Sequence, residues 1–302
     1  MAAAAICRCL KNYRHRTDMQ AVRINADDFA TELREEIIAK RIRLPTLPDV
    51  ALRIKTAVEG ECSAKELSAL IAQDIALSGR LVQVANSPLY RGGTEVDSIQ
   101  AAVTRLGTKM VRGFVIGLAM RQMFNSSSDV LSKYFRQVLE DGVQIAAISR
   151  VLAGVSLDID PEEAMLGGLL HNIGALPILA RLDEEEKGGI DTSAVHQLVD
   201  ELAPAIGTRI LSSWNLSEAL VAVPEGCHEL ERNSGSRIDY VDIVLASRLQ
   251  YLFSEGLIDV TQEMSSLPAL AKLGINFEAV VLEQESSAVW ARQVRSAPDS
   301  VV

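Results

Sequence analysis

Apolar residues recur along this chain at intervals of three and four, the period of an amphipathic helix, and no stretch alternates as a strand would. Between Phe29 and Arg43 the apolar positions Leu33, Ile37 and Ile38 predict a first helix, which Leu44-Pro45-Thr46-Leu47-Pro48 breaks. Val50, Ile54 and Val58 predict a second that ends near Gly60. Ser63-Ala64-Lys65-Glu66 reads as a capping box opening a helix through Leu67, Leu70 and Ile71. Asp74 caps the next, which carries Ile75, Leu81, Val82 and Ala85. Asn86-Ser87-Pro88 ends it, because the residue before a proline avoids the α region. After a Gly92-Gly93 loop, Asp97 or Ser98 caps a helix with Ile99, Ala102, Val103 and Leu106, and Gly107 closes it. Thr108 caps another that runs to about Phe124.

Asn125-Ser126-Ser127-Ser128-Asp129 marks a subdomain boundary. A long helix follows, about Leu131 to Ala153, with Val138, Ile145 and Leu152 on its apolar face. Asp141 and Gly142 fall on that same face, and a carboxylate buried there needs a partner. The next helix opens at Asp160-Pro161, with Glu163 placed as in a capping box; Gly174 closes it and Pro177 blocks its continuation. Arg181 to Gly189 reads as a charged connection. Val195 to Trp214 is helical, interrupted at Pro204 and Gly207. Ser217 caps a short helix kinked or ended at Pro224, before Cys227-His228. Asp239 caps a helix with Ile243, Val244, Leu249 and Phe253, and Glu278 to Val294 is a last amphipathic helix. The pattern predicts an all-α protein of two packed helical subdomains. Residues 1–28 form a disordered tail, 29–125 the first subdomain, 126–257 the second, and 258–302 a C-terminal helix and tail.

Composition sharpens this picture. The hydrophobic fraction is 48% and the aromatic fraction 4%, so aliphatic side chains build the core. A net charge of −10 argues against nucleic acid as a partner, since that affinity rests on cationic contacts to phosphate. The cysteines, Cys7, Cys9, Cys62 and Cys227, show neither a disulfide framework nor a CxxC pair, which points to a reducing, cytoplasmic compartment. No apolar run approaches the roughly 18 residues of a membrane span. Ala2 to Ile6 is too short for a signal-peptide core, and Met1 and Met19 both stand as starts.

Candidate chemistry concentrates in Ala164-Met165-Leu166-Gly167-Gly168-Leu169-Leu170-His171-Asn172-Ile173-Gly174. At about 100° per residue, Gly167, Gly168, His171 and Gly174 share one helix face. Mid-helix glycines cost about 1 kcal/mol each against alanine, so close approach of a neighbouring helix is expected there. His171-Asn172 is a hydrogen-bonded core pair or the remains of a metal site. His196 reads as a surface histidine, His228 as helix-terminal or core, and Trp214 and Trp290 as packing residues. The chain has no Gly-rich phosphate loop, no nucleophile elbow and no zinc-binding cysteine cluster.

Several short motifs occur in a telling order: Leu44-Pro45-x-Leu47-Pro48, Gln73-Asp74-Ile75-Ala76-Leu77-Ser78, Val84-Ala85-Asn86-Ser87-Pro88, and Ile99-Gln100-Ala101-Ala102-Val103-x-x-Leu106-Gly107. Gly168-Leu169-Leu170-His171-Asn172-Ile173-Gly174, Trp214-Asn215-Leu216 and Cys227-His228 follow. Their order and spacing resemble the HDOD family, bacterial output domains related to HD phosphohydrolases, over roughly residues 37–255. The resemblance implies an HD-like helical fold and a role in bacterial signal transduction.

HD phosphohydrolases hold divalent metals through a His, a His-Asp pair and a later Asp, so that a bound water becomes the nucleophile. By that resemblance, the first His position falls at Asp141, the pair at His171-Asn172, the later Asp at Ser247 and a further His at Ala203; His228 stands as an additional position. A carboxamide at Asn172 keeps the shape of a carboxylate but not its charge. The expected site is therefore degenerate, with no catalytic residue, no metal and no cofactor. The resemblance implies a non-catalytic module acting through protein partners. A metal-dependent phosphohydrolase with altered ligands, a nucleotide-binding module without turnover, and a homo-oligomer stay open.

Overall fold

The computed structural model describes residues 31, 33–36, 42, 44–87, 90, 94–123, 129–154, 156–185, 192–258 and 264–274. The expected tail, the Gly92-Gly93 loop, residues 125–128 of the boundary, residues 186–189 of the charged connection and the C-terminal helix lie outside the described residues, whereas residues 181–185 of that connection are helical. The described residues are helical, with no strand among them. They divide into two compact units, one within residues 46–123, the other taking the residues up to 45 and those from 129 to 274.

The first unit holds five helices: α1 Asp49–Glu59, α2 Ala64–Ile71, α3 Ile75–Ala85, α4 Ile99–Leu106 and α5 Thr108–Gln122. Local chemistry sets each boundary. Ser63 and Glu66 form the expected reciprocal box, with the Ser63 N–H donating to Glu66 Oε2 at 2.8 Å and the Glu66 N–H to Ser63 Oγ at 3.2 Å. Asp74 Oδ1 accepts from the Leu77 N–H at 2.9 Å, and Ser98, rather than Asp97, caps α4. Asn86 is a two-way staple. Its amide donates to the Val96 carbonyl at 2.7 Å and accepts from the Val96 N–H at 2.9 Å. Arg105 closes the same loop onto the Thr94 carbonyl at 2.6 Å. Gly107 has φ +83°, a conformation open to glycine, so it ends α4 and precedes α5. Thr108 is thus the first helical residue and not the cap expected of it. Ile54, Leu67, Ile71, Leu81, Met110 and Phe114 fill the core.

The second unit is built on α6 Asp129–Ala153, α7 Pro161–Leu170, α8 Ala175–Glu185, α9 Thr192–Ser213, α10 Glu218–Val221, α11 Val223–Gly226, α12 Tyr240–Ser254 and α13 Pro268–Leu273. Of two breaks expected from prolines, the one at Pro204 does not occur, and the one assigned to Gly174 and Pro177 falls earlier, since α7 already ends at Leu170. Helix α9 runs through Pro204 without interruption. Pro177 lies in the first turn of α8, where the backbone N–H groups have no intrahelical acceptor to lose. One stretch, Pro161–Glu184, does reach the length and apolarity of a membrane span, with mean hydropathy 1.3. Within it, 83% of the most apolar 18-residue window is buried inside the protein, and the stretch comprises α7, the turn after it and most of α8, so core burial accounts for its composition. His196 is half-buried, its ring edge-on to Tyr134 with centroids 4.6 Å apart, rather than a free surface group. Trp214 packs as expected and donates its Nε1–H to the Pro45 carbonyl at 2.9 Å.

The start of α12 is held by ions. Asp239 and Asp242 cap each other's backbone. The fully buried Asp242 accepts from Lys272 Nζ at 2.8 Å and Arg232 Nη1 at 3.2 Å, while Arg232 also grips Asp239 at 2.6 Å. Removing one partner of such a buried group leaves the others uncompensated. Asp242→Ala is therefore expected to lower unfolding free energy by about 3–5 kcal/mol in urea titration, and loss of under about 1 kcal/mol would show the network to be solvated.

Candidate functional site

The resemblance directs attention to the crossing of α6, α7 and α12. Helix α7 starts where Asp160 Oδ1 accepts the N–H groups of Glu162 and Glu163 at 2.9 and 3.3 Å, and Pro161 takes the first position. Every residue from Ala164 to Leu170 is buried. A Cβ at Gly168 would stand 2.7 Å from Ser149 Oγ and 2.8 Å from Ala146 Cα of α6, so the expected close approach is real. Gly167 does not share that face. A Cβ there would meet Leu220 and Val244 at 3.4 Å. Gly174 is neither in a left-handed conformation nor a helix closer. A Cβ on it would lie 1.9 Å from the Ala203 carbonyl oxygen and 2.6 Å from the Gly207 nitrogen, so it lets α9 meet the turn backbone to backbone.

That turn carries His171 and Asn172. His171 is 5% exposed, and its Nδ1 lies 2.8 Å from the Gly168 carbonyl oxygen. Only a protonated Nδ1 can donate there, which leaves the lone pair on Nε2. Burial, with the Arg248 guanidinium nearby, pushes the imidazole pKa down to about 3, against the weaker pull of the Gly168 carbonyl. His171 is neutral throughout the physiological range. Asn172 is half-buried, and its backbone carbonyl accepts from the Ala175 N–H at 3.1 Å.

Two of the other positions, Asp141 and Ser247, bond to protein side chains or backbone. Asp141 accepts from Tyr251 Oη at 2.6 Å and Gln137 Nε2 at 2.7 Å. Burial nevertheless raises its pKa to about 6, helped by Glu140 and Glu255 and opposed by those two bonds. Ser247 donates to the Ile243 carbonyl at 2.8 Å and accepts from Ser149 at 3.0 Å. Ala203 presents its carbonyl to Gly174. His228 is half-buried, one residue past Cys227. Arg248 donates to the Cys227 carbonyl, at the C-terminal end of α11, where a cation is favoured.

The structure thus brings His171, Arg248 and the Cys227 carbonyl together, and gives Asp141 and Ser247 separate partners. Among the described residues, no group of three or more His, Cys, Asp or Glu side chains could hold a metal ion. Arg248 was the missed residue. Its signal was a lone cation in the apolar run Ile243-Val244-Leu245-Ala246-Ser247-Arg248-Leu249. The remaining motif positions, Pro45, Pro48, Asp74, Asn86 and Gly107, serve caps, turns and staples; Ser87 is buried just past α3.

A model of the HDOD domain matches residues 44–230. An uncharacterized protein of Treponema pallidum is 24% identical over 230 residues, 72% of this chain. The chain spans 44% of that protein's length. A candidate metal-dependent phosphohydrolase from Shewanella amazonensis has a similar crystal structure, with TM-score 0.75 and 25% identity, covering 90% of this chain and 99% of that one. An HDOD domain protein of unknown function from Geobacter sulfurreducens gives 0.66 at 21% identity, covering 90% and 99%. A candidate signal transduction protein from Marinobacter aquaeolei gives 0.62 at 20%, covering 98% of this chain and 67% of that one.

Two outcomes are expected. Gly168→Ala should destabilise by about 1–3 kcal/mol, because the nearest atoms include α6 backbone that cannot step aside; parent-like melting would show that α6 and α7 can separate freely. Asp141 holds its proton more tightly folded than unfolded, so the parent should lose stability as pH rises from about 4 through about 6. Asp141→Asn should remove that slope, gaining on the parent by about 1–3 kcal/mol between pH 4 and pH 7. Parallel pH profiles of the two proteins would count against a raised pKa.

Proposed function

The chain belongs to the HDOD family, and on that premise we propose that it is a regulatory signal-transduction module that acts by binding other proteins, without turnover, on a degenerate HD scaffold. The observation that carries this reading is the donor set. Of the six mapped positions, Asn172, Ala203 and Ser247 supply no carboxylate or imidazole, and Asp141 is held by Tyr251 and Gln137. His171 keeps the tautomer and backbone bond that ligating histidines use, but His171 and His228 are two imidazoles at most, and no group of three or more ligating side chains forms among the described residues. The guanidinium of Arg248 beside it opposes a second cation. These residues do not fit a divalent metal. The candidate signal transduction protein of Marinobacter aquaeolei shares the fold, in keeping with a regulatory role.

A second reading draws on Arg248. A half-buried cation beside a neutral imidazole suits a phosphate group, so a nucleotide held without hydrolysis is the alternative ligand.

The test of turnover is direct. Protein incubated with Mn²⁺ and desalted should retain no stoichiometric metal and should not hydrolyse nucleotides or phosphodiesters. Asn172→Asp should stay metal-free in isothermal titration, since it adds one carboxylate to an incomplete set. Stoichiometric metal, with turnover lost in His171→Ala, would make the protein an enzyme. A melting shift with nucleotide but no turnover would favour the second reading.

A further inference from the structure

An exposed hydroxyl shares the lysine that neutralises the fully buried Asp242. Lys272 Nζ bonds Asp242 at 2.8 Å, and it also donates to Ser234 Oγ at 2.7 Å. Ser234 Oγ in turn donates to Asp242 Oδ2 at 3.4 Å. Ser234 is exposed, as is every residue from 233 to 237, and none of these is helical. Asn233 Oδ1 accepts the Gly235 N–H at 3.2 Å, and Gly235 has φ +89°. A Cβ on Gly235 would meet nothing within 4 Å, so the turn stands clear of its neighbours. Other exposed hydroxyls are bonded into their own helices. Thr56, Thr104 and Ser212 donate to the carbonyls of Leu52, Gln100 and Thr208 at 3.0, 2.8 and 2.9 Å. An enzyme that transfers a group needs its acceptor hydroxyl on backbone that can enter a cleft. Ser234 meets that condition, with the cations Arg232 and Arg237 on either side for the cleft to read.

We propose that Ser234 is a phosphorylation site and that its modification loosens α13 from α12. A protein kinase and a nucleoside triphosphate supply the group. Ser234 Oγ attacks the γ-phosphorus and its proton passes to a base of the kinase. The Oγ–P bond forms as the bond to the β-phosphate oxygen breaks, and the nucleoside diphosphate leaves.

The consequence follows from the charges already in place. Arg232 and Lys272 balance Asp239 and Asp242. The phosphoryl group adds a charge of about −2 at pH 7. It competes for both cations, and the side chain of Asp242, 1% exposed, has no water to replace them. Lys272 lies in the last turn of α13, a helix of six residues that is too short to persist alone. Leu267, Ala269 and Leu270 share a buried cluster with Val241, Leu245 and Leu249 of α12. Loosening α13 uncovers those apolar residues of α12 to a partner protein. This rests on the regulatory reading above and names an input for it.

The test has two arms. The full chain is isolated with phosphatase inhibitors from growing and stationary cultures of the cells that produce it, and its phosphopeptides are mapped by mass spectrometry. Phosphate should be found on Ser234. In the second arm, phosphoserine is placed at position 234 of the full chain by genetic incorporation, and hydrogen exchange is followed. Amides of residues 269–274 should exchange about tenfold faster or more than in the parent, while those of α6 and α7 keep their rates. Phosphatase treatment should restore the slow exchange. Ser234→Asn, which removes the hydroxyl without adding charge, should exchange as the parent does. No phosphate on Ser234 in either culture would overturn the proposal. So would unchanged or slower exchange in α13, or a Ser234→Asn variant as fast as the phosphoserine protein. Each of these leaves the regulatory reading standing, since that reading fails on stoichiometric metal with turnover.

Discussion

Helix α7 can lie where it does only because residue 168 has no side chain. The nearest atoms to a Cβ there include Ala146 Cα at 2.8 Å and the Ala146 nitrogen at 2.9 Å, which are backbone. The contact is reciprocal, since a Cβ at Gly142 of α6 would stand 3.0 Å from the Leu169 carbonyl oxygen. With the two helices locked at that distance, the turn after α7 is carried to α9, where Gly174 meets Ala203 and Gly207. Ser149, beside the same crossing, reaches across to Ser247 of α12. The placement of His171 follows from this arrangement, and its ring is then fixed by the Gly168 carbonyl one turn back.

Much of this was legible in the sequence, and the reasons differ by feature. Capping chemistry is local, so Ser63, Asp74, Asp160 and Asp239 mark their helix starts from spacing alone, while spacing left Asp97 and Ser98 as alternatives for α4. The glycine pair announced a close helix approach, but not that adjacent glycines would serve different neighbours, which depends on where α6 and α12 lie. Proline was over-read. Its cost depends on the position it takes in a helix, and Pro177 falls in a first turn while Pro204 is carried within a long, packed helix. Arg248 and Asp242 were passed over because a charge within an apolar run has no meaning until its partners are known. Those partners, the Cys227 carbonyl for one and Lys272 with Arg232 for the other, come from distant points in the chain.

The motif residues that resemble the family do structural work in this chain. Asn86 substitutes for a short piece of sheet by bonding both ways to Val96. Trp214 seats the Pro45 turn, and Gly107 supplies a positive φ between two helices. Such residues define a scaffold independently of any chemistry performed on it, so their retention says little about catalysis. By the resemblance, the discriminating positions are those where metal ligands would stand: 141, 172, 203 and 247.

At those positions the bonds themselves suggest how the scaffold holds without a cation. In a metal centre of the HD kind, ligands from several helices converge on one ion, which ties them together. Here Asp141, His171 and Ser247 are each bonded within the protein instead. Asp141 joins α6 to α12 through Tyr251, and Ser149 joins the same helices through Ser247. Arg248 ties α12 to the end of α11, and His171 is fixed to its own helix at Gly168. The crosslinks are short-range and mostly neutral, and the one full charge that faces His171 is a guanidinium held by the chain. On the reading proposed above, the covalent chain supplies the cation that an HD centre takes from solution, and the free energy of holding α6, α7 and α12 together no longer depends on a metal. A scaffold relieved of that dependence can present its surfaces to partners under conditions in which a metal-loaded relative would change with metal supply.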